Sequence, residues 1–224
     1  MLDKPLVMTH SEENYLKEIY HLSVNATKNV NTNSIANVME SKPSSVTDMV
    51  QKLAEKELVA YKKYQGVTLT DKGRASALMI IRKHRLWEVF LLEKLGFSWD
   101  EVHDVAEQLE HIKSTKLIDK LDEFLEYPKE DPHGDPIPDK EGNFYVQEKI
   151  LLSKVHLNEK VILVGVKDSS KEFLQYLDKM ALALGTSITM VQKEKFDNSV
   201  VIHTEFGEKV LSDKITSNLY VKKV

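Results

Sequence analysis

The chain contains no cysteine. That excludes disulfides, thiolate metal ligands and a cysteine nucleophile. No apolar run approaches the roughly 20 residues that a membrane-spanning helix needs. The N-terminal MLDKPLVMTH has neither the sustained apolar stretch nor the cleavage pattern of a secretory signal. Internal repeats and low-complexity tracts are absent. A cytoplasmic protein is the expectation these absences leave. Proline is scarce, and four of the six fall in YPKEDPHGDPIPDKEGN (127–143). That segment reads as a stiff, extended connection and a domain boundary. What remains is ordinary for a globular chain: 224 residues, 42% apolar and 29% charged, enough for one large or two to three small domains.

The net charge of −4 gives no global basic footprint for nucleic acid, but its distribution is uneven. Residues 1–95 carry net +3, residues 96–150 net −9 and residues 151–224 net +2. The acidic middle suits cations, and the mildly basic first third suits phosphate.

Apolar spacing predicts a helix over Ser11–Leu22 with Ser11 as N-cap, then a polar loop, NATKNVNTN. A short helix over 34–40 follows, interrupted by Lys42 and Pro43, and then a helix over about 44–56. LVAYKKYQGVTLT alternates around Gly66 and predicts a two-stranded hairpin. Helix, short helix, turn, helix and hairpin is the order of a winged helix-turn-helix. Ser44, Ser45, Thr47, Asp48 and Gln51 then lie at the start of the recognition helix, within reach of phosphates and base edges. Lys52, Lys62 and Lys63 are placed to bind phosphate. N-terminal capping is an alternative use for Ser44 or Ser45.

Further along, helices are predicted over about 71–94 (capped by Asp71), 99–112 (capped by Ser98 or Asp100) and 115–126 (capped by Ser114). The last third changes character. KVILVGV, TSITMVQ, SVVIHTEF and NLYVKKV read as strands, with one helix over 170–184 and a turn at Asp197-Asn198. Short strands with a single helix suggest a small β-barrel.

The stretch EVHDVAEQLEHI (101–112) says most about function. At about 100° per residue, His103, Glu107, Glu110 and His111 fall on one arc, beside a separate apolar arc of Val102, Val105, Ala106, Leu109 and Ile112. In KHRLWEVF, His84 and Glu88 stand one helical turn apart. Two helices with imidazole and carboxylate stripes suggest a site between them for a first-row divalent metal. The plain alternative is an amphipathic helix with a solvated polar face and a surface His–Glu pair.

ENYLKEIY, PSSVTDMVQKL, LTDKGR, RKHRLWEVFL, EVHDVAEQLEH and HGDPIP, in this order and spacing, resemble the diphtheria toxin repressor and manganese transport regulator family of bacterial metal-dependent repressors. The resemblance covers nearly the whole chain. It implies a mainly α fold with a small β domain in three parts. These are a winged helix-turn-helix DNA-binding domain (1–72), a helical dimerisation and metal-binding domain with its Pro-rich linker (73–143) and an SH3-like, FeoA-type β-barrel (144–224). It implies a homodimer on a palindromic double-stranded operator, with Mn²⁺ or Fe²⁺ as corepressor and Zn²⁺ also able to bind in vitro. A primary site is carried over to Glu107, Glu110 and His111 with Asn14, and an ancillary site to His84, Glu88 and His103 with Glu172. The family's second barrel carboxylate aligns with Ser169, next to Asp168.

Two departures stand out. Asn14 stands where the family has Met or Asp, and Lys17 stands where the manganese branch has Glu. Glu107 in place of the iron branch's Cys exchanges soft sulfur for hard oxygen and favours Mn²⁺ or Fe²⁺. The implied mechanism is a metal that ties the first helix to the dimerisation helices and restrains their relative motion. The alternative regulator is a winged-helix protein with a degraded metal site that answers another ligand. A metallohydrolase using Glu110 as base is disfavoured, because the chain has no HExxH and hydrolysis has no use for a helix-turn-helix.

Overall fold

The computed structural model describes residues 7–24, 29–145 and 148–224, so part of the NATKNVNTN loop (25–28) lies outside the described residues. Two compact units divide the chain. One comprises Met1–His84, Gln108–Ser114 and Pro138–Asn143, the other Arg85–Glu107, Thr115–Ile137 and Phe144–Val224.

In the first unit α1 spans His10–Val24, α2 Thr32–Val38 and α3 Pro43–Glu55. Strands β1 (Val59–Lys62) and β2 (Gly66–Leu69) pair antiparallel as the expected hairpin. Leu16, Ile19, Ile35, Val46, Val50, Leu53, Leu58 and Val67 are fully buried. Helix α1 begins earlier than Ser11, because Thr9 and Glu12 form a reciprocal capping box. The Thr9 backbone N–H donates to Glu12 Oε2 (2.7 Å), and the Glu12 N–H donates to Thr9 Oγ1 (3.3 Å). Helix α4 spans Asp71–Leu95. Its cap is Thr70 rather than Asp71, with Thr70 Oγ1 accepting from the Gly73 N–H at 3.0 Å. A Cβ at Gly73 would stand 1.8 Å from the Leu58 carbonyl oxygen, so the LTDKGR turn needs glycine to approach the hairpin.

In the second unit α5 spans Val102–Leu109 and α6 Thr115–Phe124. Helix α5 is shorter than expected, and residues 99–101 form a turn instead. The C-terminal strands are β3 (Ile150–Leu151), β4 (Lys160–Val166), β5 (Ser187–Lys193), β6 (Val200–Thr204), β7 (Gly207–Leu211) and β8 (Leu219–Lys223). They form one antiparallel sheet in the order β3-β8-β4-β5-β6-β7, with register shifts at Leu163/Gly165 and Met190/Gln192. Helix α7 (Lys171–Lys179) joins β4 to β5, and α8 (Asp213–Thr216) precedes β8. The expected strand at 199–206 stops at Thr204, and the chain turns back at once into β7. Trp99 joins Leu163, Leu174, Leu177, Ile188 and Ile202 in the core of this unit.

The segment 127–143 is not a plain connector. Asp131 Oδ1 accepts from the N–H groups of His133 (2.8 Å) and Asp135 (3.0 Å), folding the chain into a tight turn. Gly134, at φ +82°, lies against β4, where a Cβ would meet the Val164 carbonyl oxygen at 2.1 Å and the Gly165 Cα at 2.5 Å. Two glycines therefore face each other across this seam. The Val166 N–H donates to the His133 carbonyl at 2.9 Å and pins the turn to the sheet.

Candidate metal centre and nucleic-acid interface

Helix α3 starts at Pro43 with its first turn uncapped by any side chain. Val46, Val50 and Leu53 are buried, which leaves Ser44, Ser45, Asp48, Gln51 and Lys52 exposed. Thr47 is half-buried and its hydroxyl donates to the Pro43 carbonyl (3.0 Å). Lys62 and Lys63 are exposed at the end of β1 and in the turn after it. Lys63 Nζ stands 5.2 Å from the ring centre of Tyr64, a fully presented aromatic at the hairpin tip. Hydroxyl, amide and ammonium groups thus share the outward side of one short helix and its hairpin. These groups meet phosphate oxygens and base edges in DNA complexes.

A first cluster of ionisable groups lies within the first unit. Glu110 is completely buried, and Lys17 Nζ lies 2.9 Å from both of its oxygens. His84 Nδ1 lies 2.7 Å from Glu110 Oε2. Burial alone would raise the Glu110 pKa, but the His84 hydrogen bond and the Lys17 charge outweigh it. The carboxyl is held below its ordinary range. His111 Nδ1 lies 2.6 Å from Glu13 Oε2, and the His10 ring stacks on His111 at 4.2 Å. Asn14 Oδ1 is buried and accepts no hydrogen bond. The donor set at Glu110 does not fit a divalent cation, because an ammonium already spans both carboxylate oxygens.

A second cluster lies within the second unit. Glu88, Asp131 and His133 are all buried, and each offers an atom within 4.8 Å of the others. Glu88 Oε1 lies 3.8 Å from His133 Nδ1 and 3.4 Å from His103 Nδ1. His133 Nε2 lies 2.8 Å from the Trp99 carbonyl oxygen. A carbonyl only accepts, so Nε2 carries a proton, and Nδ1 is the ring nitrogen on the Glu88 side. The Arg85 guanidinium lies 3.4 Å from Asp131 Oδ2. Burial, with the negative charges of Glu88 and Asp135, pushes the Asp131 carboxyl up to about 8 against the pull of Arg85. Two buried carboxyl groups and an oriented imidazole meet in one pocket beside the Arg85 guanidinium. Here the residues fit a first-row divalent metal.

The remaining expected ligands are less buried. His103 is exposed, with Nε2 3.8 Å from half-buried Glu107, and Glu172 is exposed in the first turn of α7. Asp168 Oδ1 accepts from the Ser170 N–H. Asp131 and His133 of this cluster are not among the ligands expected from the sequence. The signal available for them was a D-x-H-G run inside a proline-rich stretch, in a chain that has another buried-face Glu at position 88.

Residues 7–67 match the iron-dependent repressor N-terminal DNA-binding domain. Residues 70–139 match the iron-dependent repressor metal-binding and dimerisation domain, and residues 150–223 match the FeoA domain. The HTH-type transcriptional regulator MntR of Bacillus subtilis is 35% identical over 123 residues, 55% of this chain and 85% of that protein. A manganese-dependent transcriptional repressor solved in complex with manganese is 31% identical, with a TM-score of 0.83 over 95% of this chain and all of the other. The structure of ScaR with bound Zn²⁺ is 34% identical, with a TM-score of 0.73 over 95% of this chain and 99% of the other. With both repressor domains matched in order and relatives covered almost end to end, the chain belongs to the diphtheria toxin repressor and manganese transport regulator family of metal-dependent transcriptional repressors.

Proposed function

We propose that this chain is a homodimeric, metal-responsive repressor. It would bind a palindromic operator through Ser44, Ser45, Thr47, Asp48, Gln51 and Lys52 of α3 and through Lys62 and Lys63 of the hairpin. The observation that carries the metal reading is the buried set Glu88, Asp131 and His133. Glu88 and Asp131 would supply hard oxygen, His133 Nδ1 an imidazole nitrogen, and His103 stands close enough to Glu88 to join. Such a set, without sulfur, suits Mn²⁺ or Fe²⁺ and also accepts Zn²⁺.

The protein's own part in this chemistry is orientation. Trp99 fixes the His133 tautomer, and the Asp131 turn together with the Val166 pin fixes where the ring stands. Both ligands must be unprotonated to bind, so metal uptake releases protons. Linkage then requires operator and metal to raise each other's affinity by the same factor.

The test is calorimetric titration of Mn²⁺ into metal-free protein, repeated with Asp131→Asn and His133→Ala. Selection of DNA from a random pool with and without Mn²⁺ would accompany it. The proposal expects each variant to weaken Mn²⁺ by at least about tenfold and expects enrichment of a two-fold-symmetric sequence only with metal. Unaltered Mn²⁺ affinity in both variants would remove the site. Equal DNA capture in chelator would remove the metal response.

A further inference from the structure

The cluster around Glu110 contains a group that neither the fold nor the metal reading requires. Lys17 lies on α1 with its ammonium buried, 2.9 Å from each oxygen of a carboxylate that is itself fully buried. A lysine head withdrawn from water needs a dedicated counter-charge, and a glutamate withdrawn from water needs the same. Here each satisfies the other across 93 residues of sequence. His84 adds a hydrogen bond on Oε2, so the carboxylate has contacts on both oxygens.

We propose that Lys17 is a tethered cation that occupies, on Glu110, the place a divalent ion would take. In this chain the tie between α1 and residues 108–114 therefore forms without metal, and metal uptake at the Glu88–Asp131–His133 centre is independent of it. This rests on the metal-responsive reading above only for the second clause. The first concerns a pair of residues inside one unit.

Two observations support the substitution. The ammonium contacts both oxygens of Glu110 evenly, as a chelated ion would, rather than resting on one. Asn14 stands one turn before Lys17 on the same helix face, with a buried amide oxygen that accepts no hydrogen bond. Lys17 also cannot be displaced cheaply. Its whole side chain is buried, stem and head together, so a dication at Glu110 would have to push a charged group through packed surroundings.

The inference predicts what happens when the tether is cut. In Lys17→Glu a carboxylate replaces the ammonium. The introduced carboxylate, Asn14 and Glu110 would together offer a set of hard oxygen donors. Mn²⁺ stoichiometry on the full chain, read by equilibrium dialysis with atomic emission, separates the outcomes. The expected result is that Glu110→Gln leaves the wild-type stoichiometry unchanged and that Lys17→Glu adds one ion per chain. That extra ion should vanish again when Glu110→Gln is added to Lys17→Glu. A lower stoichiometry in Glu110→Gln, or no added ion in Lys17→Glu, overturns the proposal. Lys17→Glu places two carboxylates together, so it is purified and dialysed with Mn²⁺ present. The double variant Lys17→Met/Glu110→Gln removes both charges at once and keeps the readout available if either single variant fails to fold. It must retain the wild-type stoichiometry. Asp131→Asn reports separately on the other centre. Retention of its ion would sink the Glu88 assignment and leave the Lys17 result standing.

Discussion

The imidazole of His133 donates through Nε2 to the backbone carbonyl of Trp99 at 2.8 Å. That single bond decides which ring nitrogen confronts Glu88. It also links the ligand to Trp99, a member of the core that fills the C-terminal sheet. The quality of the centre therefore depends on residues that touch no metal.

Gly134→Ala tests this directly. At φ +82° and 2.1 Å from the Val164 carbonyl, an added methyl forces the turn off β4. Mn²⁺ affinity should fall by about ten- to a hundredfold, as for the loss of a supporting contact, with helix content by circular dichroism unchanged. Undiminished affinity would show that the seam does not position His133.

Asp131→Asn should separate stability from function. The Asp131 carboxyl rises to about 8 in the folded chain, above its unfolded value of about 3.9. The folded state therefore holds the extra proton between those two values, and this group's contribution to stability falls as pH rises through that window. Removing the charge should stabilise metal-free protein at pH 8, while reducing the rise in melting temperature on adding Mn²⁺. A variant less stable than wild type at pH 8 in chelator would refute the electrostatic account.

Glu110 should behave with the opposite sign. His84 and Lys17 hold its carboxyl below the ordinary range in spite of burial. A depressed folded-state pKa contributes stability that is complete above the unfolded value, about 4.3. The contribution disappears as pH falls through the folded one. Urea unfolding of metal-free wild type and Glu110→Gln should show a gap that is widest near neutrality and closes below about pH 4. A gap constant from pH 6 to pH 3 would mean that the charge of Glu110 carries no stability.

For DNA, the exposed lysines should act alike and the helix residues should not. Lys62→Ala and Lys63→Ala should each weaken binding evenly across sequences and lower the slope of log affinity against log salt by about 1. Gln51→Ala should change which base is preferred while leaving that slope intact. A sequence-selective effect of Lys63→Ala would move it from the phosphates to the bases.

The helices and most strands were legible because each has a clean apolar period, as in Val46, Val50 and Leu53 of α3 or Ile188 and Met190 of β5. Helix starts were less so. Ser11 and Asp71 look like caps, yet Thr9 and Thr70 accept the bonds, and only geometry separates adjacent candidates. Strand β7 was hidden because Glu208, Lys209 and Val210 alternate too weakly to announce a half-buried strand. His133 escaped for another reason. Its burial comes from backbone contacts of Gly134 and Val166, and no side-chain periodicity reports those. Lys17 stood out as a departure, but its partner Glu110 lies 93 residues along the chain and no local pattern links the two.

The paired glycines at 134 and 165 give the C-terminal sheet a role its topology does not announce. The sheet is the wall on which His133 leans, so the proposed centre depends on β4 being in place. A chain trimmed after Asn143, nearer the length of the Bacillus subtilis relative, would keep its helices but would have to assemble His133 around the incoming ion. In the full chain that imidazole is already waiting in position before any ion arrives.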